Sequence, residues 1–495
     1  MEHLIAQGFV TAFTLPNLGA MAIGVVIGMI FGAIPGLSGA TAMTMLLPMT
    51  FLFRADTGVL FLIAIWNAAV YAGSIASICI NIPGTAAAAA CAIEGHAMAQ
   101  RGLARRALRA SIVGATIGGF CAAAALMVLS PPLASLALTF GPAEMFGLAL
   151  FGMAAVVSLA AGSLLRGAIG LLIGLLIATI GTAPTGDIRL VMLPDLVDGL
   201  PLVPTLVGLF TVPVLLEMVL HRRVRVDTQV SLLRVRDPFL LRLSDWATHW
   251  FTIAKSAAIG VVLGVVPGHG PTIASFVAFG EARRSARGSH EFGRGDVRGV
   301  LAPETAANAA VFSSLVPALT LGIPGSVDAV IVMAALTMHG MIPGPMLLAR
   351  SGDVLYTVFA GAFIANGLML VTALLGARVF VSVTRAPLAV LAPAIMVFSL
   401  VGAFAVNMNL FDVYVALAVG LFGFLLRLLR VPLPPLLLGL ILGSPIETYF
   451  LQATVLYDSV WQAVTRPVCL LLVVLTILTV ALSLRQELSS RKEPT

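Results

Sequence analysis

Charged side chains are scarce in this sequence: Asp, Glu, Lys and Arg make up 10% of its 495 residues, where soluble domains carry about 25%. A soluble fold could not cover its surface with so few, which excludes an ordinary soluble protein. Lysine is limited to Lys255 and Lys492. The four cysteines, Cys79, Cys91, Cys121 and Cys469, fall in apolar stretches without CxxC or metal-ligand spacing, so neither a disulfide framework nor a zinc site is expected. No Walker motif occurs, so an ATP-driven permease would need a separate ATPase. HExxH, GxSxG and a paired set of intramembrane aspartates are also missing, which argues against an intramembrane enzyme. The N-terminus opens Met-Glu-His without a basic region or cleavage site, so no removable signal peptide is expected.

Apolar residues are abundant instead, at 59% of the chain. Leu60–Ile80, Ile112–Leu129 and Leu470–Leu482 carry no charge at all. Spans of about 17–25 such residues are the length a helix needs to cross the hydrocarbon. Helices are the economical choice there, because an open sheet leaves backbone groups unpaired in lipid. The net charge of +6 reflects basic residues clustered in short loops, a topology signal and not a nucleic-acid footprint.

Four apolar segments are interrupted. Asn17–Phe53 breaks at Pro35-Gly36 and Trp246–Gly280 at Pro267-Gly268, each read as a re-entrant hairpin. Thr57–Ile93 breaks at Pro83-Gly84 and Leu301–Thr337 at Pro324-Gly325, each read as a crossing helix with an unwound middle. The flanks match in pairs. Gly28-xxx-Gly32-Ala-Ile-Pro-Gly answers Gly260-xxx-Gly264-Val-Val-Pro-Gly, and Asn81-Ile-Pro-Gly-Thr85 answers Gly322-Ile-Pro-Gly-Ser326. Pro35 and Pro267 lie 232 residues apart, Pro83 and Pro324 lie 241 apart, and the longer loop at Glu281–Val300 accounts for the difference. The chain therefore holds an internal repeat. Glycines at every fourth position from Gly24 to Gly36 and from Gly260 to Gly268 put one helix face within reach of another backbone.

With Leu103–Ala110, His221–Asp245 and Glu281–Arg298 taken as cytoplasmic, 24 of the 28 Lys and Arg fall on that side, leaving Arg54, Arg189, Arg350 and Arg466 outside. The count gives 11 crossing helices plus two hairpins, N-terminus out and C-terminus in, and the two halves emerge in opposite orientation. The expected fold is thus an all-α polytopic membrane protein of two inverted repeats. Residues 1–220 form the first repeat, 221–247 a basic cytoplasmic linker, 248–450 the second repeat, and 451–495 an extra helix and tail.

The residues around the breaks carry a family resemblance. Ala33-Ile-Pro-Gly-Leu-Ser-Gly39 leads to Leu47-Pro-Met-Thr-Phe51, and Tyr71-Ala-Gly-Ser74 precedes Asn81-Ile-Pro-Gly-Thr85 and Glu94-Gly95. Phe292-Gly-Arg-Gly-Asp296, Ala302-Pro-Glu304, Asn308, Leu319-Thr-Leu-Gly-Ile-Pro-Gly325, His339-Gly340 and Pro343-Gly-Pro345 follow in order. Together they resemble the large membrane subunit of the tripartite tricarboxylate transporters. The resemblance implies a secondary transporter of the bacterial inner membrane importing carboxylates. It implies two partners, a small membrane subunit and a periplasmic solute-binding protein, and a cation gradient as driving force. Asp328, Ser313-Ser314 and His269 depart from the family pattern, which bears on substrate identity.

A broken helix leaves free N–H groups at one end and free carbonyls at the other. Helix N-termini suit a carboxylate, and carbonyls with hydroxyl or amide oxygens suit Na+. The expected substrate-binding set is Pro35, Gly36, Ser38 and Gly39 in the first hairpin, with Asn81, Pro83, Gly84 and Thr85 in the first broken helix. Gly268, Gly270 and Thr272, then Pro324, Gly325 and Ser326, complete it from the second half. Thr41, Ser74 and Asp328 are expected to hold a coupling cation, Na+ or H+. No cofactor and no resident metal are expected. Glu304 and Asn308, four residues apart, read as a structural hydrogen-bonded pair. An ion-coupled organic-anion transporter working without a binding protein is the alternative.

Overall fold

The structure is a computed structural model that describes residues 2–159, 163–220, 248–268, 270–286, 292–383, 388–457 and 459–490. The basic linker at 221–247 and His269 therefore lie outside the described residues.

Helices account for nearly all of it. They run α1 Glu2–Ala12, α2 Leu15–Ala33, α3 Gly39–Leu46, α4 Ala55–Ile80, α5 Ala89–Gln100, α6 Ala104–Ala137, α7 Pro142–Leu159, α8 Leu164–Ala178 and α9 Leu202–Leu220. The second half follows with α10 Trp250–Val265, α11 Gly270–Ser285, α12 Arg298–Ser313, α13 Leu315–Leu321, α14 Val327–Met338, α15 Leu347–Arg350 and α16 Gly352–Val383. Last come α17 Leu388–Asn407, α18 Leu410–Leu428, α19 Leu433–Leu456, α20 Val460–Val464 and α21 Pro467–Ser490. One two-stranded antiparallel hairpin pairs β1 Gly181–Thr182 with β2 Ile188–Arg189. Among the described residues seven helices are long and apolar enough to cross a membrane, and seven shorter apolar helices accompany them. The fold is all-α and polytopic.

The chain divides into two compact units, and each draws on both halves of the sequence: Met1–Ala134 with Val214–Gly402, and Ser135–Pro213 with Ala403–Thr495. In the first, α4 is the central element. All of its residues from Asp56 to Cys79 are buried, Trp66 and Tyr71 included. Helix α2 packs along it and α10 along α12, and these two pairings repeat residue for residue. A Cβ at Gly28 would run into Ile65 O and Ala68 Cβ, and one at Gly260 into Ala306 O and Ala309 Cβ. One at Gly32 would meet Ala69 and one at Gly264 would meet Ala310, 2.9 Å away. The glycine partners are 232 residues apart and the alanine partners 241, the same two offsets as the breaks. Small residues at four-residue spacing let these backbones touch.

In the second unit α8 lies against α19 in the same fashion: a Cβ at Gly170 would stand 2.9 Å from Pro432 O. Arg466 pairs with the buried Glu144, and Arg189 Nη1 with Glu447 Oε1 at 2.7 Å. Two of the four arginines outside the basic cluster are thus neutralised inside this unit.

Candidate substrate site

All four breaks fall in the first unit, and each has a local cause. Helix α2 stops at Ile34 before Pro35, and Gly36 turns the chain with φ of 88°. Ser38 then caps α3, its Oγ accepting the Thr41 N–H at 3.3 Å and lying 3.2 Å from Thr41 Oγ1. In the second hairpin Gly268 takes the matching conformation, φ 83°, and α11 starts at Gly270 with Thr272 half-buried in its first turn.

The broken helices match as closely. Asn81 ends α4 in the left-handed region at φ 55°, and its counterpart Gly322 ends α13 at φ 73°. Asn and Gly are the residues that take this conformation readily. Pro83 and Pro324 follow in extended turns, and Ser326 caps α14 by accepting the Ala329 N–H at 3.2 Å. The second helix has a further interruption that the Pro-Gly reading missed, at Ser314 between α12 and α13.

These breaks meet. The Gly84 N–H donates to Gly73 O at 3.2 Å, and a Cβ on Gly84 would overlap Gly32 O at the end of α2. The Gly268 N–H donates to Gly325 O at 3.1 Å, and a Cβ on Gly325 would stand 2.7 Å from Ser314 O and 2.9 Å from Gly264 O. Ser326 Oγ lies 3.2 Å from Ser314 Oγ, and a Cβ on Gly270 would sit 3.2 Å from Ser326 Cβ. A Cβ on Gly39, at the start of α3, would be 3.6 Å from Asp328 Oδ1 in the first turn of α14. Each hairpin tip thus touches the broken helix of its own half, and α3 faces α14 across the halves. Trp66 Nε1, Asn67 Oδ1, Thr85 Oγ1 and Asn308 Oδ1 are among the buried polar atoms without a hydrogen-bond partner. Unpaired buried polar atoms are uncommon in folded chains.

Some expected residues have other work. Asn81 is exposed and closes α4 in the left-handed conformation. The Ser74 hydroxyl goes to the Glu304 carboxyl, not toward a break. Glu304 and Asn308 form the expected hydrogen-bonded pair, through the Glu304 main chain. The Asn308 amide donates to the Glu304 main-chain oxygen at 3.0 Å, while the Glu304 carboxyl also accepts from Ser111 Oγ at 3.2 Å. Glu94 was quoted only as part of a motif, yet its carboxylate accepts the N–H groups of Gly293, Gly295 and Asp296 at 2.5, 2.7 and 2.9 Å. Two stretches about 200 residues apart in sequence therefore clasp each other, a contact no local pattern announces. No group of three or more His, Cys, Asp and Glu suited to a metal occurs among the described residues.

Two hairpins and two broken helices packed into a multi-pass helical chain define the class: a membrane transporter component. Residues 18–438 match the tripartite tricarboxylate transporter TctA family, and the chain belongs to it. It is 33% identical over 492 residues, 99% of this chain and 97% of the relative, to an "Uncharacterized 52.8 kDa protein in TAR-I ttuC' 3'region" of Agrobacterium vitis. A second protein of that organism, "in TAR-II ttuC' 3'region", is 32% identical over 235 residues, 47% of this chain and 97% of the relative. No solved structure matches the chain.

Proposed function

We propose that the chain is the transport subunit of a secondary importer of tri- or dicarboxylates in the bacterial inner membrane, with the substrate held at the four breaks. The convergence of Gly84, Gly325, Ser326 and Asp328 with the tips at Gly36–Gly39 and Gly268–Gly270 carries this reading. The starts of α3, α11 and α14 offer free N–H groups, and a helix N-terminus carries about half a positive charge. Backbone donors with the Ser38, Thr85, Thr272 and Ser326 hydroxyls suit a carboxylate. Thr41, Asp328 and the broken-helix carbonyls suit Na+ or H+. Family membership supports a small membrane subunit and a periplasmic binding protein as partners.

The two repeats are read as inverted across the bilayer. Short or Gly/Pro-interrupted segments at matching places in inverted halves are where transporters bind cargo near the midplane. In that arrangement the start of α6 at Arg105 faces the cytoplasm and the loop Asp187–Asp195 the periplasm.

The test is reconstitution. Proteoliposomes holding the large and small subunits should take up radiolabelled citrate only when the binding protein and a cation gradient are both present. Full-rate uptake without the binding protein would leave the autonomous organic-anion transporter as the better reading.

A further inference from the structure

Glu304 is a buried acid that the break site does not use. Its residue is 2% exposed, in the middle of α12. Ser74 Oγ from α4 donates to one carboxyl oxygen, and Ser111 Oγ from α6 to the other at 3.2 Å. The Cys91 thiol of α5 lies against both the Ser74 hydroxyl and the carboxyl, and Tyr71 of α4 faces it too. Among the described residues no Lys, Arg or His pairs with it. Ser74, Ser111 and Cys91 are fully buried and Tyr71 nearly so.

A cavity of about 80 Å³ approaches this cluster, lined by Arg106, Ala110 and Val113 of α6, by Thr248, His249 and Val297, and by Leu301 of α12. Ala110 adjoins Ser111, and Leu301 lies three residues, about one helical turn, before Glu304. The polar rim, with Arg106 and His249 beside the Asp296–Arg298 ion pair of 2.6 Å, suits water. The cavity wall therefore reaches to within about one helical turn of Glu304 along α12.

We propose that Glu304 is the proton-binding site of this transporter, loaded from the cavity at Arg106 and His249 and released when the helices shift. A proton passes from cavity water to a carboxylate oxygen of Glu304 and returns by the same path or the opposite one, so charge and atoms balance with water as the co-reactant. An ionisable residue at membrane depth with no cationic partner among the described residues is a functional group by default. The link to the cargo runs through one residue. Ser74 follows Gly73, whose carbonyl accepts the Gly84 N–H at the first break. The titratable and charged groups around the path are Tyr71 and Cys79 of α4, Cys91 and Glu94 of α5, and Arg105, Arg106 and Arg109 of α6, with His249, Asp296 and Arg298 at the mouth.

This proposal rests on the transport reading, but its decisive readout needs no substrate. The full chain in lipid nanodiscs is titrated while infrared difference spectra are recorded. A carboxylic-acid carbonyl band that disappears on alkalinisation is expected, absent in Glu304→Gln and shifted in Ser111→Ala, which removes one hydrogen bond to the carboxyl. Filling the cavity with Leu301→Trp should slow the response to a pH jump. Identical spectra for wild type and Glu304→Gln overturn the proposal, and so does loss of the band on adding Na+ at constant pH. If Glu304→Gln does not fold, an unshifted band in Ser111→Ala overturns it instead. In proteoliposomes Glu304→Gln should lose the acceleration of citrate uptake by a pH gradient. Failure of the wild type to move citrate would count against the transport reading alone, because the band is read without cargo.

Discussion

The first broken helix is capped by Asn81 and the second by Gly322, yet both end in the left-handed region, 241 residues apart. Thr85 and Ser326 match as hydroxyls at that same offset, and Gly84 and Gly325 match as points of backbone contact. Between them the halves diverge. The position equivalent to Ser74 is Leu315 and the one equivalent to Glu304 is Ile63, both wholly buried. The repeat thus preserves backbone geometry at the breaks and abandons side-chain symmetry about two turns away, at Ser74, and beyond. Shape at the site is shared between the halves, whereas the buried acid and its hydroxyl partner form a single asymmetric cluster.

The largest effect is expected where both halves rely on bare backbone. Gly84→Ala and Gly325→Ala each push a methyl group into main-chain oxygen, of Gly32 and of Ser314. Overpacking costs about 1–3 kcal/mol or more where backbone cannot yield. Both variants should lose uptake, with thermal unfolding in detergent lowered to a similar degree. A silent variant at one of the two positions would break the equivalence of the halves.

A smaller effect separates Asn81 from Gly322. Asn81→Gly should be tolerated in fluorescence-detected thermal stability, because glycine occupies the equivalent position in the other half. Asn81→Ala should cost about 1 kcal/mol, since alanine resists the left-handed conformation. Equal stability of the two variants would show that the side chain, and not the backbone, is what matters at 81.

The smallest effect lies in the loop before α12. Burial raises the Asp296 carboxyl, but the hydrogen bonds and charge of Arg298 outweigh it and hold the group below its usual range. The folded value being depressed, the contribution is present above the unfolded value, about 4, and fades as pH falls through the folded one. Asp296→Asn should therefore narrow its stability deficit against wild type below about pH 4, as measured by melting across a pH series. A deficit that stays constant to lower pH would remove the charge contribution.

Much of this was legible in the sequence, because broken apolar segments and paired Pro-Gly flanks are local signals. The helix ends fall at the breaks, and the two offsets reappear in the contacts of Gly28 with Ala68 and Gly260 with Ala309. The clasp of Glu94 on Gly293–Asp296 and the Ser74–Glu304–Ser111 cluster were not legible, because each joins residues far apart that no periodicity relates. Glu304 and Asn308 share a helix face, as their spacing says, but spacing does not reveal that the carboxyl turns to two other helices. The interruption at Ser314 has its signal in Pro317, which cannot donate to the Ser313 carbonyl one turn back and crowds it. The division into two units that each combine parts of both halves was also invisible, since composition does not change at Ala134 or Gly402.

The central claim is that one carboxylate sits between the two repeats, so equivalent hydroxyls should contribute equally. Binding of radiolabelled citrate to the purified chain in nanodiscs, measured for wild type, Thr85→Ala and Ser326→Ala, tests this directly. A hydrogen bond to a charged group is worth about 1.5–3 kcal/mol, or about ten- to a hundredfold in affinity. Both variants should weaken binding by that factor with the fold intact. Unchanged affinity in both would contradict the account and place the substrate away from the breaks.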